Sequence, residues 1–321
     1  MLFSVVIPTY NRESVIKRAV DSVLNQTIQD FEIIVVDDGS KDKTEEVMSA
    51  YTDPRVKYIK QKNGGACAAR NNGIEHAQGY YIAFLDSDDT YETTMLESLL
   101  DKFQSDSEIG FVYTKLDCID SMGVAKSAPI KSGIQGHCYK EALEQGYIAP
   151  TSVVSAKREA FGVAGMFDLS LPASQDDDIC FKLAKIYKVG FVNEVLAHMY
   201  NDTNNRITNV RNPAKGWWML WNKYENDVVE LCGTQVMARH YLNCCHFFLR
   251  AEIQDGFNKA FEKYRYYGGN KSKISLEYKY KLKSMMKTIK GLISCKSVDK
   301  PRGGKILVFK PFEYEYYREV A

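Results

Sequence analysis

The chain has 321 residues, of which 45% are hydrophobic and 26% are charged. This composition is typical of a folded globular protein and excludes a disordered one, and the length suits one large domain with an appendage, or two domains. The formal net charge is +1, so overall charge gives no reason to expect a nucleic-acid binder.

The first 115 residues alternate between short apolar runs and helical repeats. The apolar runs predict buried strands at Phe3–Ile7, Phe31–Val36, Val56–Ile59, Tyr80–Leu85 and Gly110–Tyr113. Apolar residues at helical spacing predict helices over 15–24, 68–77 and 95–103. This alternation indicates an α/β fold with a mostly parallel sheet that is covered by helices on both faces.

The remainder is less regular at first and then becomes helical. Strands are predicted at Thr151–Ser155 and Gly190–Leu196, with a helix over 176–187 between them. From about 214 onward the pattern is helical and rich in aromatic residues. We interpret the tryptophans at 217, 218 and 221 as a stripe that docks this part on the rest of the protein.

Polar residues follow three of the predicted strands. The first strand ends in Pro8-Thr9-Tyr10-Asn11-Arg12, the second in Asp37-Asp38-Gly39-Ser40, and the strand at Tyr80–Leu85 in Asp86-Ser87-Asp88-Asp89. Because α/β sheets bind ligands at the carboxyl ends of their strands, these segments predict one shared site.

The segment 86–89 packs three carboxylates closely together. They repel one another unless a cation or hydrogen bonds compensate, and Mg²⁺ or Mn²⁺ prefers hard oxygen ligands. We therefore interpret Asp86 and Asp88 as a site for a metal and phosphates. The alternative is an acidic loop that caps a helix at Thr90–Phe103, and this alternative suits Asp89.

Two neighbouring segments offer further ligand contacts. An acid at the end of the second strand can accept a hydrogen bond from a nucleotide base or a ribose hydroxyl. The alternative is a turn followed by a helix cap, but that structure does not require two adjacent acids at 37 and 38. Gly64-Gly65 precedes a helix whose N-terminal N–H groups favour anions, and Arg70 adds a cation, although the string matches no established phosphate loop.

A third acidic string, Gln175-Asp176-Asp177-Asp178, opens the helix predicted over 176–187. Acids in a first helical turn complement the helix dipole, which explains Asp177 and Asp178 without a function. The string also offers a general base for a substrate hydroxyl. The residues alone leave both interpretations open.

The eight cysteines form no Cys-x-x-Cys pair and show no zinc-ligand spacing, which favours free thiols in a reducing compartment. The N-terminus lacks the regions of a signal peptide, and the sequence has no apolar run long enough for a spanning helix. We expect a cytoplasmic protein, or one that is peripheral on the cytoplasmic face of the inner membrane.

Residues 271–296 hold eight lysines and one acid, Glu277. Within 276–293, apolar residues recur at helical spacing and lysines occupy much of the remaining surface. Such a helix either binds an anionic membrane, at about 1 kcal/mol per lysine near the surface, or packs its apolar stripe on the protein. No motif supports binding of nucleic acid.

Five strings together resemble the family 2 glycosyltransferases of the GT-A fold. They are SVVIPTYN at 4–11, SVLNQT at 22–27, FEIIVVDDGS at 31–40, ARNNG at 69–73 and FLDSDD at 84–89. The resemblance runs through the first 115 residues, is patchy over 116–205 and ends near 210. It implies a GT-A catalytic domain over 1–210, with a nucleotide-binding half at 1–115 and an acceptor half at 116–210. A helical, basic C-terminal extension over 211–321 would follow.

The resemblance implies an inverting transferase that uses a nucleoside diphosphate sugar, most commonly a UDP-sugar, and a divalent cation, Mn²⁺ or Mg²⁺. The acceptor would be a hydroxyl of a saccharide or a lipid-linked saccharide, in the synthesis of a bacterial surface polysaccharide. The resemblance also implies roles on the donor side for six residues. Pro8 and Tyr10 would line the base pocket, Asp38 would contact the base, and Arg70 would lie near the base and the phosphates. Asp86 would bind the ribose, and Asp88 would bind the metal.

The family also carries a Glu-Asp-x-Asp string before a helix. Gln175-Asp176-Asp177-Asp178 matches it with Asp176 as the catalytic base, and the extra acid at 177 leaves the register open. The reaction geometry predicts that Asp176 lies across the cleft from Asp88. In the polar string at 201–208, Arg206 is a candidate diphosphate contact, and His198 is either a third metal ligand or a satisfied histidine at a strand end.

Two rival functions are weighed against this one. A sugar nucleotidyltransferase would need a glycine-rich loop with Arg and Lys after the first strand, which Pro8-Thr9-Tyr10-Asn11 is not. An inactive relative that binds only sugar or membrane is disfavoured by the intact Asp86, Asp88 and Asp176.

Overall fold

The computed structural model describes residues 1–120, 123–127, 133–200 and 211–269. Strands and helices alternate in the first part, in the order β1 (Phe3–Thr9), α1 (Ile16–Leu24), β2 (Phe31–Asp37), α2 (Thr44–Ser49), β3 (Val56–Lys60), α3 (Ala66–His76), β4 (Tyr81–Phe84), β5 (Thr90–Tyr91) and α4 (Met95–Gln104). Every residue of β1 and β2 is buried, which explains why both strands are continuous apolar runs.

The second part is irregular at first and then helical. Its elements are β6 (Ile109–Ile119), β7 (Ala125–Ser127), α5 (Tyr139–Gln145), a 3₁₀ turn at Thr151–Val153, β8 (Val154–Lys157), α6 (Arg158–Ala164), α7 (Gln175–Ile186), β9 (Lys188–Tyr200), α8 (Arg211–Lys223), α9 (Glu225–Cys232), α10 (Thr234–Arg250) and α11 (Gln254–Tyr266).

Within the described residues the strands form one sheet in the order β3-β2-β1-β4-β8-β6-β9-β5, with β7 paired to β6. The strands β3, β2, β1 and β4 are parallel, as the alternation of strands and helices predicts. β8 runs antiparallel to β4 and β6, while β9 runs parallel to β6. The α/β fold is confirmed, and the sheet continues without a break from residues before 115 to residues after it.

The predicted helix at Thr90–Phe103 begins later than expected. Thr90 and Tyr91 pair with His198 and Ala197 of β9, and α4 starts only at Met95. The interpretation of Asp89 as a helix cap is therefore wrong, because a strand and a turn separate it from the helix.

The C-terminal helices dock through aromatic side chains, as the tryptophan stripe predicts. Trp217 and Trp221 are buried, and the Trp217 ring stacks on Phe247 with centroids 5.5 Å apart. Trp221 stacks on His240 at 3.6 Å and lies 6.0 Å from Phe181 of α7. Burial lowers the pKa of His240 to about 3, so this histidine is a neutral core residue.

Two predictions fall outside the described residues, namely Arg206 and the amphipathic helix at 276–293. In the part of the chain that the structure describes, none of the helices combines the length and the apolar character needed to cross a membrane.

Candidate active site

The loops that follow β1 and β2 are tied together at the carboxyl edge of the sheet. The N–H of Asp38 donates to the carbonyl of Thr9 at 2.8 Å, and the N–H of Asn11 donates to Ser40 Oγ at 2.9 Å. Asn11 has a left-handed φ of 53°, which asparagine tolerates, and its Oδ1 accepts from the N–H of Lys41 at 2.8 Å. These contacts fix both loops before any ligand arrives.

The Asp38 carboxylate is buried, and it binds the segment that leads into α3. It accepts from the N–H of Gly64 at 2.8 Å, the N–H of Gly65 at 2.7 Å and the side-chain amide of Gln61 at 2.8 Å. The anion at this helix N-terminus is thus the protein's own carboxylate rather than a phosphate. With three donors on Asp38, its contact with a nucleotide base stays a prediction.

The other residues of the predicted base pocket differ in exposure. Tyr10 is 41% exposed, whereas Pro8 is buried in β1 opposite Val36. Asp37 is also buried and accepts from the N–H of Ser40 at 2.8 Å and from the hydroxyl of Tyr58. Asp37 therefore shapes the turn, while Tyr10 offers an open aromatic face.

Arg70 connects the donor-side acids with the predicted base. It is 6% exposed, and its Nη2 donates to Asp86 Oδ1 at 2.6 Å. Burial by itself lowers the pKa of Arg70, but attraction to Asp86 and Asp176 outweighs it and raises the pKa. The guanidinium is therefore a fixed positive charge that pairs with Asp86 and attracts Asp176, on the α3 helix that the sequence predicts.

Asp88 lies beside arginines from the first loop and from α1. Arg12 Nη2 is 3.6 Å from Asp88 Oδ2, and Arg18 donates to the Asp88 carbonyl at 2.8 Å. At 3.6 Å the Arg12 contact is an ion pair rather than a hydrogen bond, and the Asp88 side chain is 18% exposed. Arg12 thus places a positive charge near the Asp88 carboxylate, while Arg18 holds the Asp88 backbone.

The donor set suits a cation that completes its shell with substrate oxygens. Asp88 offers a carboxylate, whereas that of Asp86 is paired with Arg70 at 2.6 Å, and Mg²⁺ sites commonly use one or two carboxylates together with phosphates. Among the described side chains, no group of three or more His, Cys, Asp or Glu residues is arranged to hold a metal. A cation at this site would therefore depend on the donor for the rest of its ligands.

His198 is a satisfied histidine at the end of β9. Its Nδ1 lies 2.5 Å from Asp117 Oδ1, and its Nε2 lies 2.6 Å from Glu92 Oε1. Burial lowers the pKa of His198, but the two carboxylates outweigh it and raise the pKa. Both ring nitrogens are engaged, so the arrangement does not favour His198 as a metal ligand.

Asp86 and Asp176 line the same open cavity, which has a volume of about 170 Å³. The residues that line it are Asp86, Asp89, Leu116, Tyr147, Pro150, Ser152, Ser174, Asp176, Asp177 and Met199. Acids from the segment 86–89 and from the start of α7 therefore meet at one concave surface, although they lie far apart in the chain.

The 3₁₀ turn at Thr151–Val153 places one hydroxyl on each group of acids. Ser152 Oγ donates to Asp89 Oδ2 at 2.6 Å and accepts from the N–H of Asp86 at 3.2 Å. The neighbouring Thr151 Oγ1 donates to Asp176 Oδ1. Sequence reasoning missed both hydroxyls, because two polar residues before an apolar strand carry no recognisable signal.

The three acids at the start of α7 lie in different surroundings. The pKa of Asp176 is raised, mainly by burial and further by the negative charge of Asp86. Arg70 and the hydrogen bond from Thr151 lower this pKa but do not cancel the rise. Burial and the adjacent Asp176 raise the pKa of Asp177 well above its usual range. Asp178 is fully buried and accepts from the hydroxyl of Tyr224 at 2.9 Å. Asp176 and Asp177 both line the cavity and both have a hydroxyl partner, Thr151 and Ser174. Asp176 differs in being only partly buried and in interacting with Arg70 and Asp86 of the donor side.

Comparisons with known proteins identify the family of this chain. The model of glycosyl transferase family 2 matches residues 4–154. An uncharacterized glycosyltransferase of Rickettsia typhi (strain ATCC VR-144 / Wilmington) is 31% identical over 238 residues, which cover 70% of this chain and 71% of that protein. Chondroitin synthase of Escherichia coli is 34% identical over 197 residues, which cover 60% of this chain and 28% of that protein. This chain spans between 23% and 39% of the length of five of the curated relatives that it matches.

A solved structure has the same fold. S. aureus TarS 1–349 in complex with UDP-GlcNAc superposes with a TM-score of 0.63 at 21% sequence identity, and the match covers 82% of this chain and 80% of that chain. At this level of identity the likeness concerns the fold, and it confirms the predicted architecture with its helical C-terminal region.

Proposed function

This chain belongs to glycosyl transferase family 2 and is a glycosyltransferase, and we propose that it transfers a sugar from a UDP-sugar to a saccharide hydroxyl with inversion. The observation that carries the proposal is the cavity in which donor-side Asp86 and Asp89 meet Asp176. A UDP donor is supported by the likeness to TarS, whose structure holds UDP-GlcNAc. The name of a relative, chondroitin synthase, supports a polysaccharide product.

Asp176 is the proposed general base. Its raised pKa brings it closer to neutral pH, where a carboxylate is a more effective proton acceptor, while Thr151 and Arg70 oppose the rise and favour the ionised form. Asp176 removes the proton of the acceptor hydroxyl as the oxygen attacks the anomeric carbon. A single displacement of this kind inverts that carbon, and it requires the diphosphate to leave from the opposite face of the sugar.

The donor side stabilises the charge that gathers on the leaving group. Arg70 lies next to Asp86, which we propose binds the ribose, and Arg206 is a further candidate contact. A divalent cation, Mn²⁺ or Mg²⁺, held by Asp88 and donor oxygens would supply positive charge at the diphosphate. Tyr10 is exposed at the edge of the sheet and is proposed to stack on the base.

The cavity also favours a neutral sugar. The described residues that line it include four aspartates and no lysine, arginine or histidine. A carboxylate on the sugar would face like charges in a confined space, which disfavours binding. A hexose or an N-acetylhexosamine instead presents hydroxyl and amide groups that donate to such acids.

A screen of sugar nucleotides in the presence of Mn²⁺ tests the function. We expect UDP-sugars to raise the melting temperature and to be hydrolysed slowly without an acceptor. In Asp176→Asn, UDP should bind with unchanged Kd while turnover falls about 10²- to 10⁴-fold, the contribution typical of a general base. Asp106→Asn is the matched control, because Asp106 pairs with Lys188 on the surface.

Two results would count against this proposal. If no nucleotide binds and no donor is hydrolysed, the transferase function itself fails for this chain. If Asp176→Asn stays active while Asp177→Asn is inactive, the register is wrong and Asp177 is the base.

A further inference from the structure

The orientation of Asp176 depends on what holds the first turn of α7. This turn begins after Ser174, which has a left-handed φ of 62°. Two residues beyond Asp176, Asp178 is fully buried and receives donors from the C-terminal helices. The Tyr224 hydroxyl lies 2.9 Å and Lys223 Nζ lies 2.7 Å from Asp178 Oδ1. The end of α8 and the residue after it are thus attached to the turn that carries the proposed base.

Lys223 also binds the segment that leads into α7. Its Nζ lies 2.7 Å from Asp168 Oδ2, and the ammonium lowers the pKa of Asp168. Within α7, Lys182 contacts the second oxygen of Asp178 at 2.8 Å. Two lysines therefore lie against two aspartates, and these pairs offset the cost of burying the Asp178 side chain. Lys223 joins both sides of the entry to α7.

The backbone of α8 also approaches this entry closely. Gly216 lies against Ala173, the residue before Ser174, and a Cβ on Gly216 would come within 2.6 Å of the Ala173 carbonyl oxygen. Glycine is therefore the residue that permits this approach. Further along, Phe181 of α7 packs edge-to-face on Tyr224, with ring centroids 5.3 Å apart.

We propose that α8 is a positioning element for the catalytic base, with Gly216, Lys223 and Tyr224 as positioning residues that hold the first turn of α7. The proposal rests on the function proposed above only in taking Asp176 as the base. It assigns the C-terminal helices a part in turnover, although they touch no reacting atom. The donor-side contacts of Asp86, Asp88 and Arg70 belong to other elements, so changes in α8 should leave donor binding intact.

The test compares two glycine variants of the 321-residue chain. Gly216→Ala forces the Ala173 carbonyl away, whereas Gly256→Ala places a Cβ 2.4 Å from the ring of Phe248, in the contact between α10 and α11. Both variants strain a helix contact, but the first alone strains the entry to α7. For hydrolysis of UDP-GlcNAc with Mn²⁺, Gly216→Ala should lose about 10- to 100-fold in kcat, as expected for a small misplacement of a catalytic group. KM and the Kd for UDP should stay within about twofold in both variants, since uniform binding is unaffected.

A milder variant and a second measurement cover the case of poor folding. Tyr224→Phe removes one hydroxyl and should lower kcat in the same direction, with KM unchanged. Hydrogen exchange should be faster for the amides of 174–178 in Gly216→Ala than in the wild type or Gly256→Ala. Equal loss of kcat in both glycine variants, or unchanged exchange at 174–178, would overturn the proposal. If the wild type hydrolyses no UDP-sugar, the proposed function fails, and the exchange result still decides whether α8 holds α7.

Discussion

Replacing Thr151 with valine probes the proposed base without touching the carboxylate. The change removes the hydroxyl that donates to Asp176 Oδ1 and keeps a β-branched side chain of similar size. This hydrogen bond favours the ionised form of Asp176, so its loss should raise the pKa of Asp176 further above its ordinary value. A base works in its ionised form, and the acid limb of the kcat profile should therefore move to higher pH.

The size of the shift follows from the lost contact. A hydrogen bond to a charged group contributes about 1.5–3 kcal/mol, and one pKa unit corresponds to about 1.4 kcal/mol. The acid limb should therefore move upward by about 1–2 pH units, which is about a 10- to 100-fold loss of kcat on the acid side. Above the shifted limb the rate should recover, because Arg70 and Asp86 remain in place.

The assay is kcat for UDP-sugar hydrolysis as a function of pH. Thr151→Ser keeps the hydroxyl and should keep the wild-type limb. Thr114→Val is the matched control, because Thr114 is fully buried in β6 and donates to the Lys115 carbonyl at 3.1 Å. An unchanged acid limb in Thr151→Val would refute the assignment of Asp176 as the titrating base. An equal shift in Thr114→Val would show that the effect is general.

Four further predictions concern other parts of the molecule. Asp88→Ala should abolish the Mn²⁺-dependent part of donor binding, and an unchanged Mn²⁺ titration would remove Asp88 from the metal site. His198→Gln should lower the free energy of unfolding at low pH, because the charged His198 stabilises the fold through its two carboxylates. This contribution is complete below the ordinary histidine pKa of about 6.5 and is lost as pH rises through the raised pKa of the folded state. Urea unfolding at several pH values measures it, and the same pH dependence in the variant and the wild type would contradict the prediction. UDP-glucuronic acid should bind at least about tenfold more weakly than UDP-GlcNAc, because like charges at close range disfavour binding. In Asp89→Asn the difference in Kd between the two donors should become smaller. Equal affinities in the wild type would refute the neutral-sugar proposal. Deleting residues 271–321 should release the protein from anionic liposomes, and continued binding would exclude the lysine-rich segment as the anchor.

The sequence was most informative where strands are buried on both faces. β1 and β2 are continuous apolar runs, so the polar residues that follow them mark the strand ends clearly. Parallel pairing then brings those ends together, as the register of Thr9 with Asp37 shows. Arg70 reaches Asp86 from the helix α3, so strand pairing alone does not predict this contact.

The role of Asp89 could not be inferred locally. Thr90 and Tyr91 are a strand only because β9 supplies partners, and Ser152 reaches Asp89 from another distant segment. The helical repeat that starts at Met95 extends naturally backward in the sequence, which is why a cap was predicted at this position. Tertiary contacts overrode that local pattern.

The acids of α7 show the same limit in another form. Asp176, Asp177 and Asp178 are chemically equivalent in the sequence, and any of them complements the helix dipole. Their differences come from packing, since Asp178 faces Tyr224 of the C-terminal region and Asp176 faces Thr151. Only the fold separates a candidate base from a structural anchor.

The position of β4 has a consequence for dissecting the molecule. β4 lies between β1 and β8, so both of its edges are paired. A fragment that stops at residue 154 removes β8 and leaves one edge of β4 with unpaired backbone groups, which act as a template for aggregation. We therefore expect that the stretch matched by the family model does not fold on its own, and that a shortened version intended for crystallisation or domain exchange needs β8 to remain monodisperse.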